Sequence, residues 1–511
     1  MSKRDLHGLS LIALALLISC CGWKGGWLTT VGPDYKMGPL PTASRWYSSL
    51  DNDGMPVAHG GDTSDLRRWW DRFNDPALSR LLAAAQKESA SVAAAKAHIE
   101  QARASLIVSN ASALPSLDVN AGITQSGINI SNLNVGGQSL TIPPIDITMY
   151  KVGVQSSWEV DLFGGLARQS EASQSQLESS TASWHAARVA VAAEVADAYA
   201  VYRGCEVQVK LVAADAESLE NSARLLEIIG QAGFRSPADV ALIKASSADG
   251  KRHLQEQQTQ CERSIKGLVA ISGLGEGEVR QLLTGTTERV ARLPVPPPFN
   301  IDAIPARVLL QRPDIAAAER DVAEASATIG VERAKQFPKL SLTGNVSRML
   351  ANLDLNVISV MGIGLQTWSV GPSLTLPLFD GGKRVANTRA AQAQYESAVV
   401  SFRSKVRTAA KEVEDAMLRL DSVGKSLPQA QLAADEYQKN FQAMQELYKV
   451  GMGSLIDAES ARRSTLSAQV IVAKLEQERV SAWIALYRAA GGGWEDSAPA
   501  AKPKADASHV R

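Results

Sequence analysis

Four runs of the chain alternate apolar and polar side chains with period two. In the first, Leu117, Val119, Ala121 and Ile123 are separated by polar residues such as Asp118 and Asn120, with Thr124 beyond them. In the second, Tyr150, Val152, Val154, Trp158, Val160 and Leu162 alternate with Lys151, Gln155, Ser157, Glu159 and Asp161. The pattern returns later, where Leu340, Leu342 and Val346 alternate with Ser341, Thr343, Asn345 and Ser347. Trp368, Val370, Leu374, Leu376 and Leu378 then alternate with Thr367, Ser369, Ser373 and Thr375. Period two with one apolar face predicts strands, hence two β-hairpins over 115–163 and 338–379. Each run is about the ten residues that cross a bilayer as a tilted strand. The apolar faces could pack on a soluble core or meet lipid. Lys151, Glu159 and Asp161, all on the opposite face, favour lipid.

The hairpins end in Leu162-Phe163-Gly164-Gly165 and Leu378-Phe379-Asp380-Gly381-Gly382, and the pattern then becomes helical. Ala167 to Gly230 and Lys383 to Val450 hold no proline except Pro428, and each would extend roughly 100 Å as a helix. Each breaks at a glycine turn, at Gly233 and at Gly451, before a second helix returns. Leu114-Pro115-Ser116-Leu117 is echoed by Phe337-Pro338-Lys339-Leu340, Glu194-Val195 by Glu412-Val413, and Asp239 by Asp457. The chain is therefore an internal two-fold repeat. Residues 76–273 and 306–490 each supply a helix, a β-hairpin and a long helical hairpin. The Gly- and Pro-rich stretch 274–305 reads as a loop between the repeats, and 491–511 as a disordered tail.

The N-terminus sets the compartment. Lys3 and Arg4 precede an apolar run from Leu9 to Ile18, which fits a signal peptide over 1–19 and is too short for a permanent span. It ends in Leu17-Ile18-Ser19-Cys20, which resembles the lipobox of bacterial lipoproteins. That likeness implies a covalent lipid, diacylglycerol plus an N-acyl chain, on Cys20, with 20–75 as a lipidated extended segment. An ordinary secretory signal with an incidental Cys20-Cys21 pair is the plainer alternative. No later stretch is long and apolar enough for a transmembrane helix, so any crossing must use strands. With 53 basic and 53 acidic side chains the sequence shows no basic footprint for nucleic acid. It shows no metal-ligand spacing and no Walker, Rossmann or nucleophile-elbow motif, and no enzyme or cofactor is expected. Cys205 and Cys261 have their midpoint at residue 233, so a symmetric hairpin places them at one height. They form either a disulfide or two buried free thiols.

Four strands cannot close a barrel, and an open edge in lipid leaves backbone groups unsatisfied. Two, three or four chains must combine, with polar faces enclosing water.

Val31-Gly32-Pro33-Asp34-Tyr35, Trp69-Trp70 with Phe73 and Asp75-Pro76, Arg312-Pro313-Asp314-Ile315 with Glu319, and the two Leu-Phe-Gly turns extend over residues 31 to 490. With these motifs the chain resembles the TolC family of outer-membrane factors, in its nodulation-type lipoprotein branch. The resemblance implies an α+β membrane protein. Its homotrimer forms a twelve-stranded outer-membrane β-barrel, four strands per chain, continued by a long α-helical periplasmic barrel. It implies a tripartite efflux system exporting small toxic compounds, with a periplasmic membrane-fusion adaptor and an inner-membrane pump of the RND type. The exit duct of a type I protein-secretion system, or a structural coiled-coil lipoprotein without a channel, are the alternatives.

The resemblance also assigns residues. Asp239 matches an aspartate that hydrogen-bonds a tyrosine, here Tyr448, on the neighbouring hairpin of the periplasmic gate. Asp457 matches a pore-lining aspartate. The family's latch arginine falls on Gly453 and its second ring carboxylate on Ser460, leaving Glu459 or Arg235 as substitutes. Gly233, Phe234, Gly451 and Met452 resemble the tips that meet the adaptor.

Overall fold

The computed structural model describes residues 26–38, 40, 42, 45–47, 58–59, 66, 68–128, 133–135, 138–140, 145–284, 293–297, 299–301, 305–354 and 359–493. The lipobox residues Cys20 and Cys21 lie outside them, as does the tail from 494. Helices are α1 (Pro76–Glu88), α2 (Ala90–Ala111), α3 (Gly165–Gln231), α4 (Pro237–Ser272), α5 (Glu276–Thr284), α6 (Pro305–Leu310), α7 (Pro313–Ala334), α8 (Lys383–Lys449) and α9 (Leu455–Ala489). The chain divides into two compact units: Met1–Met37, Glu100–Glu178 and Arg320–Val400 in one, and the remainder in the other.

The first unit carries an antiparallel sheet of β1 (Ser116–Ile128), β2 (Ile145–Val160), β3 (Lys339–Asp354) and β4 (Ser359–Thr375), in that order. The register keeps like on like, with Val119 opposite Val154, Val154 opposite Val346 and Val346 opposite Trp368. A slip of one residue would turn every apolar side chain to the polar face. β4 ends at Thr375, before Leu376 and Leu378, which sequence alternation assigns to the strand. Pro377, without an N–H to donate, stands where the pairing stops. Pro372 lies opposite Leu342 of β3 and leaves β4 one main-chain donor short at that position.

An N-terminal strap is pinned to the end of the first hairpin. The amides of Trp27, Leu28 and Val31 donate to the carbonyls of Asp161, Leu162 and Phe163 at 2.8, 3.0 and 3.0 Å. Gly32 has φ +97°, and a Cβ there would sit 2.4 Å from the Cα of Gly330 on α7, so only glycine lets strap and helix touch. The buried Arg168 then binds Asp34 at 2.5 Å and Glu171 at 2.6 Å. The motif residues Gly32 and Asp34 are thus fasteners of the strap.

The second unit is built around Trp69, which is fully buried. Its ring stacks on Tyr487 with centroids 4.8 Å apart, meets Phe73 and Phe299 edge-on, and donates through Nε1 to the carbonyl of Pro297. Asp75 caps α1, accepting from the amides of Ala77 and Leu78, and takes a further bond at 2.7 Å from the Tyr199 hydroxyl. Arg203 donates to that hydroxyl at 2.9 Å and pairs with Glu206. Arg312, also buried, reaches Asp314 at 2.8 Å, Glu412 at 2.7 Å and the carbonyl of Ala489 at 3.0 Å.

Residues 274–305 are not a plain loop, because Glu276–Thr284 is helical. Glu276 and Glu278 suit the positive end of a helix, Arg280 pairs with Glu276 one turn on, and Val279 and Leu283 are buried. The surrounding glycines and prolines obscure that short amphipathic stretch.

Candidate functional site: the tips of the helical hairpins

Each long helix ends in the same backbone motif. The amide of Phe234 donates to the carbonyl of Ile229 at 3.1 Å and that of Gly233 to Gly230 at 2.9 Å. The second tip repeats this, with Met452 to Leu447 at 2.9 Å and Gly451 to Tyr448 at 3.1 Å. These paired bonds need a left-handed residue after the helix. Gly233 at φ +79° and Gly451 at φ +78° supply it. Ser236 then caps α4 by accepting from the Asp239 amide, and Ser454 caps α9 by accepting from the Ile456 amide. The two tips share the glycine turn and the serine cap because the repeat carries Gly and Ser at matching offsets, although Ser236 accepts from the third residue on and Ser454 from the second.

Asp239 and Asp457 sit in the first turns of α4 and α9, where the helix dipole favours a negative charge. Phe234 and Met452 project outward, 80% and 75% exposed. Leu219, Leu226, Ile243 and Leu455 form a small core behind the tips, with Tyr448 packed against it.

The hydrogen bond from Tyr448 to Asp239 is not made in this chain. The Tyr448 hydroxyl is buried and has no hydrogen-bond partner among the described residues, and its ring instead lies under the Arg235 guanidinium at 4.5 Å. Burial pushes the phenol above its ordinary range, with the Arg235 charge opposing and the Asp239 and Glu459 charges adding to it. Tyr448→Phe is therefore expected to leave stability within about 0.5 kcal/mol of the parent, since no bond is lost. Denaturant unfolding measures it, and a loss well above about 1 kcal/mol would mean the hydroxyl is partnered.

Glu459 is not available as a replacement carboxylate. It is buried and holds Arg462 at 3.0 Å, while Arg462 also pairs with Asp215 on α3. That buried triad ties α9 to α3 and was missed in the sequence. Its only local trace is the Glu459–Arg462 spacing of one helical turn. At Gly453, an added Cβ would meet the Leu447 Cβ and the Tyr448 amide at 3.1 Å, so this turn is closed too tightly for an arginine without adjustment. Asp457 and Ser460 are both exposed. Cys205 and Cys261 are joined as a disulfide, with Cα atoms 5.6 Å apart, linking α3 to α4.

The profile of a family described as "Outer membrane efflux protein" matches residues 81–274 and 304–492, both repeats and nearly all of the long helices. The chain belongs to the outer membrane efflux protein family. Among its relatives, outer membrane protein OprJ of Pseudomonas aeruginosa is 27% identical over 503 residues, covering 97% of each chain. Solvent efflux pump outer membrane protein SrpC of Pseudomonas putida is 28% identical, covering 96% of this chain and 98% of its own. The solved outer-membrane channel OprN superposes with a TM-score of 0.77 at 27% identity, covering 91% of this chain and 99% of OprN. This outer membrane efflux protein is accordingly an outer-membrane channel component of an efflux system.

Proposed function

We propose that three copies close a twelve-stranded barrel, forming a passive duct through which small toxic compounds handed over by an inner-membrane pump and a periplasmic adaptor leave the cell. The observation that carries this is the four-stranded sheet, whose two edges pair with no strand among the described residues and so cannot stand in lipid as they are. Twelve is an even strand number within the known range for such barrels. The relative SrpC, named for solvent efflux, supports export of small toxic compounds. Repeats 76–273 and 306–490 each supply one β-hairpin and one helical hairpin. The duct performs no bond chemistry, and selection of cargo belongs to the pump. The lipobox-like Leu17-Ile18-Ser19-Cys20 supports a lipid on Cys20, holding the assembly at the outer membrane.

In this reading the hairpin tips form the gate, with Asp457 of each copy facing the pore and Phe234 and Met452 meeting the adaptor. Carboxylates around a narrow aperture concentrate cations and repel anions. In planar bilayers, Asp457→Ala is expected to lower cation preference and raise resting conductance. Unchanged current and ion preference would exclude Asp457 from the gate.

A further inference from the structure

The N-terminal strap holds two large apolar residues in the open. Leu28 is 70% exposed and Trp27 46%. Yet the turn that carries them is closely built. The Gly26 amide donates to the Thr30 hydroxyl at 3.0 Å, and a Cβ on Gly26 would sit 2.4 Å from the Gly164 amide nitrogen. Gly164 itself has φ +77°, and a Cβ there would meet Thr30. With its main-chain bonds to Asp161, Leu162 and Phe163, the strap is held at a fixed height past the end of β2.

The sheet shows what lies at that height. On the apolar face of β2, Tyr150 and Trp158 bracket Val152 and Val154. The eight-residue step between the two rings covers about 27 Å along a strand, or about 20 Å at the tilt of a barrel strand. Aromatic rings at both ends of such a band mark the two bilayer interfaces. The Trp158 ring is fixed at its end by an Nε1 bond to the Ala113 carbonyl at 3.0 Å. Trp27 and Leu28 are bonded three and four residues further on, at Asp161 and Leu162. Among the described residues no strap covers the equivalent junction of the second repeat, where Leu378 and Phe379 are 88% and 93% exposed. Both repeats thus present an apolar pair just beyond a strand end.

We propose that Trp27 and Leu28 are a membrane-interface contact, seated among the headgroups of the phospholipid leaflet around the barrel. The inference rests on the outer-membrane barrel proposed above. Tryptophan suits that place, because its ring lies against acyl chains while its N–H meets water or headgroups. Six residues separate Trp27 from Cys20, a reach of at most about 25 Å, which brings a lipid on Cys20 to the same leaflet. The strap thereby fixes the depth of the chain in that leaflet through its own side chains.

Nitroxide probes on the full-length protein, in phosphatidylethanolamine–phosphatidylglycerol vesicles, test this by collision with oxygen and with a water-soluble nickel chelate. Cys205 and Cys261 are bridged, and a labelled Cys21→Ser parent supplies the background. Leu28→Cys, and independently Trp27→Cys, is expected to give an oxygen-to-nickel ratio several-fold above that of Lys36→Cys in the same strap. Val152→Cys, within the band, is expected to exceed all three. A Leu28 ratio no higher than that at Lys36 would overturn the contact. So would a probe shielded from both reagents, which reports burial against another copy of the chain. If Val152 also reads as water, the barrel reading fails with it.

Discussion

Trp69→Ala is expected to cost about 3–5 kcal/mol, the range for removing a large aromatic from a packed core. Trp69 has no exposed surface, and Phe73, Phe299 and Tyr487 all rest on it. Its indole N–H also satisfies the carbonyl of Pro297, which would lose its partner. The side chains around it come from separate stretches of sequence, so no single helix can collapse into the cavity. A thermal melt in detergent, followed by circular dichroism, should show the midpoint fall by several degrees. A fall of under about 1 °C would mean this cluster is not the keystone of the second unit.

Removing the disulfide, by Cys205→Ser with Cys261→Ser, is expected to cost about 4 kcal/mol on loop-closure entropy alone. The bridge closes a segment with a sequence separation of 56 residues, comprising the far part of α3, the tip and most of α4. Without it, the unfolded chain regains the freedom of that whole segment, while the folded hairpin keeps its packing. The second hairpin carries no cysteine and serves as an internal comparison. Hydrogen exchange should therefore rise in α3 and α4 near the first tip and stay unchanged in α8 and α9. Equal loosening of both hairpins, or of neither, would count against a local staple.

Much of the fold was legible because its signals are periodic. Period-two alternation located the hairpins, since one face of each strand must avoid the other's surroundings. Proline-free alanine-rich stretches located the long helices, and matched glycines located their tips, where the backbone turns left-handed. Leu376 and Leu378 show the limit. Alternation continues past Pro377, but pairing does not, because hydrogen bonding and not hydropathy ends a strand. Helix α5 shows the opposite fault, a short amphipathic element hidden among loop residues.

The candidate gate was less legible. Asp239, Tyr448 and Asp457 were placed by resemblance, and the sequence alone determined that they lie at helix ends beside tight turns. It also determined the repeat, the two hairpins of each kind and the need for more than one chain, because each follows from local pattern or from counting strands. Only the tertiary structure decided that Tyr448 packs under Arg235 and not against Asp239, and that Glu459 belongs to Arg462. It also decided that Arg312 binds Glu412, exactly as little foreseeable from spacing as the others. Apart from the one-turn spacing of Glu459 and Arg462, those choices depend on which long side chains meet across helices far apart in sequence, and the energy of an ion pair or ring contact is set by distances that local pattern does not encode.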